Sequence, residues 1–199
     1  ALMFTSGTTA QPKAVRITHR NLQANTDSIV AYLNLSERFR IFALLPFDYC
    51  FGTSLLHTHL RAGGALVFGG SFMYPETTLD LLEATGATGL AGVPTLYQTL
   101  LRRTTFARRK IASLTKIQQA GGRLSNPLIK ELVEAAPSAE VFVMYGQTEA
   151  TARLSYLPPT LLETKLGSIG HGIPNVTLSV LDAAGRPVKP GEVGEIWAE

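Results

Sequence analysis

At 199 residues the chain is long enough for one domain with a sizeable core, or for one domain and part of a second. With 45% hydrophobic and 17% charged residues it is neither disordered, collagen-like nor disulfide-stapled, and a formal charge of +3 is too small to point to nucleic acid. The one cysteine cannot form an internal disulfide, which fits a reducing cytoplasm, and no apolar run approaches the ~18 residues of a membrane span.

Short β-like runs alternate with helical patterns along most of the chain. Residues 1–4 and 14–18 read as strands flanking a loop, with no sign of a signal peptide. Thr18 is suited to cap a helix from His19 to about Leu33, with Leu22, Ile29 and Leu33 at helical spacing. A strand over 40–45 stops at Pro46, a helix follows over 52–61, and Gly63-Gly64 turns the chain into a strand at 65–68. Pro75 opens a helix to Ala84, a buried strand covers 88–92, and 94–101 is helical. Strands at 114–119 and 141–145 bracket a helix to Ala136, with Asn126 as cap and Pro127 as first helical residue.

This βα alternation predicts an α/β layered domain over residues 1–158, with ligands outside the carboxyl ends of the strands. Turn signals dominate residues 159–199, where strands at 176–181 and 193–198 begin an incomplete β-rich subdomain. Both ends fall inside strand-like runs, so the chain reads as a piece of a longer protein.

Thr5-Ser6-Gly7-Thr8-Thr9-Ala10-Gln11-Pro12-Lys13 leaves a strand and packs hydroxyls, a glycine and a lysine into one loop. Gly7 lets backbone approach a ligand, the hydroxyls can donate to phosphate oxygens, and Lys13 adds a point charge. The spacing is not that of a Walker loop. On composition alone, a Ser/Thr-rich surface turn remains an equal reading.

The loop resembles the phosphate loop of the adenylate-forming superfamily, which comprises acyl-CoA synthetases, firefly-type luciferases and nonribosomal peptide adenylation domains. Ala10 and Ala14 stand where that family usually has glycine; where positive φ is needed, alanine costs about 1 kcal/mol. Tyr145-Gly146-Gln147-Thr148-Glu149 matches a second family segment. The resemblance implies that Tyr145 stacks on adenine, Thr148 meets the α-phosphate and Glu149 holds Mg²⁺. Gln119-Ala120-Gly121-Gly122-Arg123 matches the segment that lies flat against adenine, with Arg123 where a small apolar residue is common. In the segment Leu45–Gly52, Tyr49 and Phe51 match the acyl pocket, as does Val93 in Val93-Pro94-Thr95. Gly167–Gly170, Pro174 and Gly191–Ile196 extend the likeness over essentially the whole chain.

The implied sites are therefore Thr5, Ser6, Gly7, Thr8, Thr9, Lys13, Gly121, Gly122, Arg123, Tyr145, Gly146, Gln147 and Thr148 for ATP or AMP. Tyr49, Phe51 and Val93 are assigned to the acyl group and Glu149 to the metal, with Thr148, Glu149 and Lys13 catalytic. The implied chemistry is ATP-dependent conversion of a carboxylic acid to an acyl-adenylate, then transfer to a thiol of coenzyme A. Transfer to an acyl carrier protein and a non-catalytic nucleotide-binding module are the alternatives. The family's ribose-binding aspartate and its mobile C-terminal domain with a catalytic lysine would follow Glu199, so the isolated 199-residue chain is expected to be inactive. Arg102, Arg103, Arg108, Arg109 and Lys110 form a basic run that reads as a solvated face, or as a contact for coenzyme A phosphates or an acidic carrier protein. Cys50 reads as packing, and His19, His57, His59 and His171 lack metal-ligand spacing.

Overall fold

The structure, a computed structural model, describes residues 1–5 and 13–199. Strands β1 (Leu2–Thr5) and β2 (Lys13–Arg16) pair antiparallel, with Thr5 directly opposite Lys13. Ser6, Gly7, Thr8, Thr9 and Ala10 lie outside the described residues. Ala14 sits in β2 without positive φ, so no glycine penalty arises there. Helix α1 (His19–Leu33) begins as expected at Thr18. The Thr18 hydroxyl oxygen accepts from the Asn21 N–H at 3.1 Å, and the Asn21 side chain accepts from the Thr18 N–H at 3.1 Å, a reciprocal capping box.

The next elements alternate strand and helix: β3 (Arg40–Phe42), α2 (Cys50–Ala62), β4 (Ala65–Val67), α3 (Pro75–Ala84), β5 (Gly89–Gly92) and α4 (Pro94–Arg103). Strand β3 is shorter than 40–45, because the chain leaves the ladder after the Ala43 N–H donates to the Val67 carbonyl. A short helix α5 (Phe106–Arg109) was not anticipated from the basic run. Strand β6 (Lys116–Gln119), helix α6 (Asn126–Ala135) and strand β7 (Glu140–Tyr145) follow. Helix α6 corrects the expected cap: Ser125 takes that position without a side-chain bond, and Asn126 is the first helical residue. Strand β8 (Ser155–Leu157) joins the main sheet, β9 (His171–Gly172) continues it past Pro158, and β10 (Leu178–Leu181) pairs with β11 (Glu195–Ala198) in a separate ribbon.

The seven-stranded sheet runs β4-β3-β5-β6-β7-β8-β9, parallel through β7 and antiparallel beyond it. Strands buried on both faces need apolar side chains pointing both ways. Leu90, Ile117 and Val141 pack with Leu79, Leu82, Leu96, Leu100, Ile129 and Leu132 of the α3, α4 and α6 layer. Ile41, Ala91 and Phe142 pack with Ile29, Leu33, Phe51 and Leu55 of the α1 and α2 layer. This is the α/β layered architecture that the alternation predicts.

Helix α5 is tied to α3 by charge. Arg109 reaches Glu76 and Asp80 at 2.6 Å each and Glu83 at 3.3 Å. The hydroxyl of Thr105, then its N–H at 2.9 Å, then Arg109 bond the Glu76 carboxylate and hold its pKa down to about 2. A carboxylate held below its ordinary 4.5 stabilises the fold above that pH, and the contribution disappears as pH falls through about 2. The stability difference between the protein and its Glu76→Gln variant should thus be largest above pH 5 and should shrink towards pH 2 in urea titrations.

Between β7 and β8 the chain makes a 3₁₀ turn, Thr148–Ala150, followed by a γ-turn centred on Thr151. Thr151 has φ 73° and ψ −59°, and the Ala152 N–H donates across it to the Ala150 carbonyl at 2.9 Å. A β-branched residue in this rare conformation is strained by roughly 1–3 kcal/mol. Replacement Thr151→Gly relieves that strain and adds some unfolded-chain entropy, for an expected net gain of about 1 kcal/mol in urea unfolding.

Candidate functional site

Because β3, β5, β6 and β7 are parallel, the segments after them emerge at one edge of the sheet. There they enclose a cavity of about 570 Å³. Tyr49, Gly121, Gly122, Arg123, Tyr145 and Gly146 all line it, so residues from three separate sequence segments meet in one place. Gly121 has φ 77°, and a Cβ there would lie 2.8 Å from the Tyr49 hydroxyl and 2.9 Å from Val93 Cγ1. Val93 therefore presses on the same turn. A Cβ on Gly146 would fall 1.9 Å from the Ala152 carbonyl oxygen, so only glycine lets β7 pass this closely to the returning chain.

The turn over Gly121 and Gly122 is held from below by a residue that the motif reading passed over. Gln119 is buried, and its Nε2 donates to the Gly122 carbonyl at 2.7 Å. Its signal in the sequence is a polar side chain closing a strand that is buried along its length, two residues before the Gly121–Gly122 pair. Tyr97, also buried, donates from its hydroxyl to the Gln118 carbonyl at 2.8 Å and the Leu90 carbonyl at 3.2 Å, tying β5 to β6 beneath the cavity.

Thr148 is half-buried, and Gln147 and Glu149 are exposed around the 3₁₀ turn. Glu149 lines a second cavity, about 240 Å³, together with Arg16, Asn21 and Asn25. Strand β1 packs against this turn, so the hairpin that carries Thr5 and Lys13 stands beside Thr148 and Glu149. Thr5 is half-buried and Lys13 exposed at the open end of the hairpin. A lone exposed carboxylate with open sides fits Mg²⁺, which takes one or two protein carboxylates, keeps several waters and adds substrate phosphates. Among the described residues there is no group of three His, Cys, Asp or Glu able to hold a metal unaided.

Phe51 is not brought to the 570 Å³ cavity. It is buried at 2% exposure in the α1 and α2 layer, with the Arg153 guanidinium carbon 4.5 Å above its ring. Cys50 faces a small cavity between β1, α1 and α2, in keeping with packing. His59 is buried, with Nδ1 2.9 Å from the Leu55 carbonyl, and burial lowers the pKa of both His59 and His57. The basic run is not one open patch: Arg102 pairs with Glu131, and Arg109 with the three acids of α3. Burial pushes the Tyr49 phenol up, Cys50 adds to that, and the Arg153 charge opposes it.

The whole chain, residues 1–199, matches the family model described as AMP-binding enzyme. It is 30% identical over 197 residues to an acyl-CoA ligase, sidI, of Aspergillus fumigatus, covering 98% of this chain and 33% of that protein. It is also 30% identical over 207 residues to a D-alanine–D-alanyl carrier protein ligase of Streptococcus equi, covering 98% and 40%. Among solved structures, o-succinylbenzoate CoA synthetase of Bacillus subtilis with the acyl-adenylate OSB-AMP aligns with a TM-score of 0.88 at 29% identity, over 100% of this chain and 40% of that one. VinN in complex with L-aspartate aligns with a TM-score of 0.84 at 31% identity, over 99% and 48%. The chain thus spans about a third to two-fifths of the length of these curated relatives. With a family match over its full length and the parallel-sheet architecture of these neighbours, the chain belongs to the AMP-binding family of adenylate-forming ligases.

Proposed function

We propose that the protein containing this chain activates a carboxylic acid with ATP and passes the acyl group to the thiol of coenzyme A. A carboxylate oxygen attacks the α-phosphorus, and the bond to the β-phosphate oxygen breaks, giving acyl-adenylate and pyrophosphate. The thiol sulfur then attacks the acyl carbon and AMP leaves. The observation that carries this reading is the 570 Å³ cavity on which Tyr49, Gly121, Gly122, Arg123, Tyr145 and Gly146 converge, beside the turn that bears Thr148 and Glu149.

In this reading the adenine lies between the Tyr145 ring and the flat backbone of Gly121 and Gly122, with Arg123, Gly146 and Gln147 at its edges. An aromatic face on one side and bare peptide on the other suit a planar base. The Thr148 hydroxyl donates to the α-phosphate, and Thr5, Ser6, Gly7, Thr8, Thr9 and Lys13 take the remaining phosphates. Glu149 would hold Mg²⁺, whose charge offsets that of the departing pyrophosphate when it is bound with ATP. A neighbour of this fold, the Bacillus subtilis synthetase, was solved with ATP and a magnesium ion, which supports that assignment. The protein's work is chiefly positioning and charge neutralisation. Tyr49 and Val93 take the acyl group, and Phe51 supports that wall from the core. No described helix is long and apolar enough to cross a membrane. With its one thiol, Cys50, buried and unpaired, we place the enzyme in the cytoplasm.

Coenzyme A is preferred as acceptor because relatives of this chain include acyl-CoA ligases of Aspergillus fumigatus, Ajellomyces capsulatus and Penicillium expansum and a feruloyl-CoA synthase of Amycolatopsis. The carrier-protein ligase of Streptococcus equi keeps a protein thiol as the second reading, and coenzyme A dependence of the full-length enzyme separates them.

Full-length protein should catalyse ATP–pyrophosphate exchange in the presence of its acid. Glu149→Ala should lower that rate by about a hundredfold or more with circular dichroism unchanged, since a lost metal ligand removes transition-state charge stabilisation. Retention of full exchange by the variant would separate Glu149 from the metal. The 199-residue chain alone should bind ATP weakly in calorimetry and make no acyl-adenylate; sustained pyrophosphate release by it would contradict this.

A further inference from the structure

The backbone that bears Thr148 and Glu149 loops out of a strand hairpin. The Leu154 N–H donates to the Tyr145 carbonyl at 2.9 Å and closes β7 onto the returning chain, leaving residues 146–153 between them. Inside that loop Thr151 holds φ 73° and ψ −59°, a conformation that persists only where its surroundings impose it. The bonds from the Thr151 N–H to the Thr148 carbonyl at 3.0 Å and from the Ala152 N–H to the Ala150 carbonyl at 2.9 Å both lie within the turn. Neither ties it to the rest of the fold.

The tie comes from α1. Asn25 Nδ2 donates to the Arg153 carbonyl at 2.8 Å, and Asn25 Oδ1 accepts from the Arg153 N–H at 3.2 Å. One side-chain amide therefore pairs with both backbone groups of one residue, as a neighbouring strand would. Asparagine carries a donor and an acceptor for this, whereas an ionised aspartate carries acceptors alone. Asn25 is half-buried within a 15-residue helix whose start is fixed by the Thr18 capping box, so its amide is held on a rigid element. It lines the cavity of about 240 Å³ together with Glu149 and Thr151. On the same helix face, Ser28 donates instead to the Pro174 carbonyl at 2.9 Å, which belongs to a different segment.

We infer that Asn25 is a positioning residue for the Thr148–Glu149 turn: its amide pair with the Arg153 backbone keeps Thr151 in its strained conformation and so holds Glu149 where Mg·ATP meets it. The inference rests on the acid-activating reading above and deepens it. Misplacing a positioned group by about 1 Å costs on the order of a hundredfold in rate, so a clamp two residues beyond the strained position has a measurable effect.

The test uses full-length protein and its Asn25→Ala variant, read by crystal structure, by calorimetric binding of Mg·ATP and by ATP–pyrophosphate exchange against Mg²⁺ concentration. In Asn25→Ala, Thr151 should move to negative φ and the Ala152 to Ala150 bond should open. Mg·ATP should bind about tenfold more weakly, and the Mg²⁺ needed for half-maximal exchange should rise by a similar factor, with the KM for the acid unchanged. Asn25→Asp, which keeps the acceptor, should fall between the two. Adding Thr151→Gly to Asn25→Ala should recover at least threefold of the loss, because glycine adopts the turn without strain. Ser28→Ala removes a bond from the same helix face and should leave the Mg²⁺ requirement as it is. Thr151 remaining near φ 73° in Asn25→Ala, an unchanged Mg²⁺ requirement, or an equal rise in Ser28→Ala would overturn the inference. An opened turn with weakened Mg·ATP binding, in a protein whose wild type shows no exchange with any acid, would support the clamp and sink acid activation. Exchange that is equally strong in wild type and Asn25→Ala would do the reverse.

Discussion

Four strands, β3, β5, β6 and β7, run parallel and are buried on both faces, and the meeting of Tyr49, Gly121, Gly122, Arg123, Tyr145 and Gly146 at one cavity follows from that pairing. Parallel strands send their carboxyl ends to one edge, so each strand delivers its next few residues to the same place. From β3 comes Tyr49, from β5 Val93, from β6 Gly121 and Gly122, and from β7 Tyr145. Leu90, Ile117 and Val141 on one face and Ile41, Ala91 and Phe142 on the other anchor the strands that carry these ends. Slipping one strand by a residue would turn its core side chains to the wrong helix layer and move its loop out of the cavity.

Close approach sharpens what the sheet only collects. Gly146 has the Ala152 carbonyl where a Cβ would sit, and Gly121 has Tyr49 and Val93. These contacts bring backbone and ring within reach of one another, and the strained turn at Thr151 then presents Thr148 and Glu149 beside β1. Strain of this kind persists where surrounding structure over-determines it, and here β7, β8 and the Asn25 side chain hold both ends of the turn. Arg153 lies immediately after this turn, so the segment that bears Thr148 and Glu149 at one end places a buried cation over the Phe51 ring at the other.

Much of this was legible in the residues. Thr18 as a helix cap, the prolines that open α3 and α4, and the apolar runs of β5 and β7 are local signals, and local signals survive folding. Ordered motifs assigned Gly121 and Tyr145 to the nucleotide and Tyr49 to the acyl group, and all three line one cavity although 96 positions separate the first from the last in the numbering. What escaped depends on contacts distant in sequence. Helix α5 is only four residues long and rests on Phe106 burial and on the Arg109 clamp to α3, so no periodicity announces it. Phe51 and Tyr49 share one motif, yet the start of α2 turns Phe51 into the core and leaves Tyr49 at the cavity. Arg153 carries no motif or periodic signal, and its backbone is fixed by Asn25, 128 positions earlier.

The central claim is that a nucleotide occupies the edge of the sheet where these segments meet. It is tested most directly by a crystal structure of the full-length protein with ATP and Mg²⁺. The account predicts adenine in van der Waals contact with the Tyr145 ring and the Gly121–Gly122 backbone, with the phosphates running past Thr148 towards Thr5 and Lys13. Adenine bound elsewhere, with the 570 Å³ cavity filled by protein side chains, would contradict it.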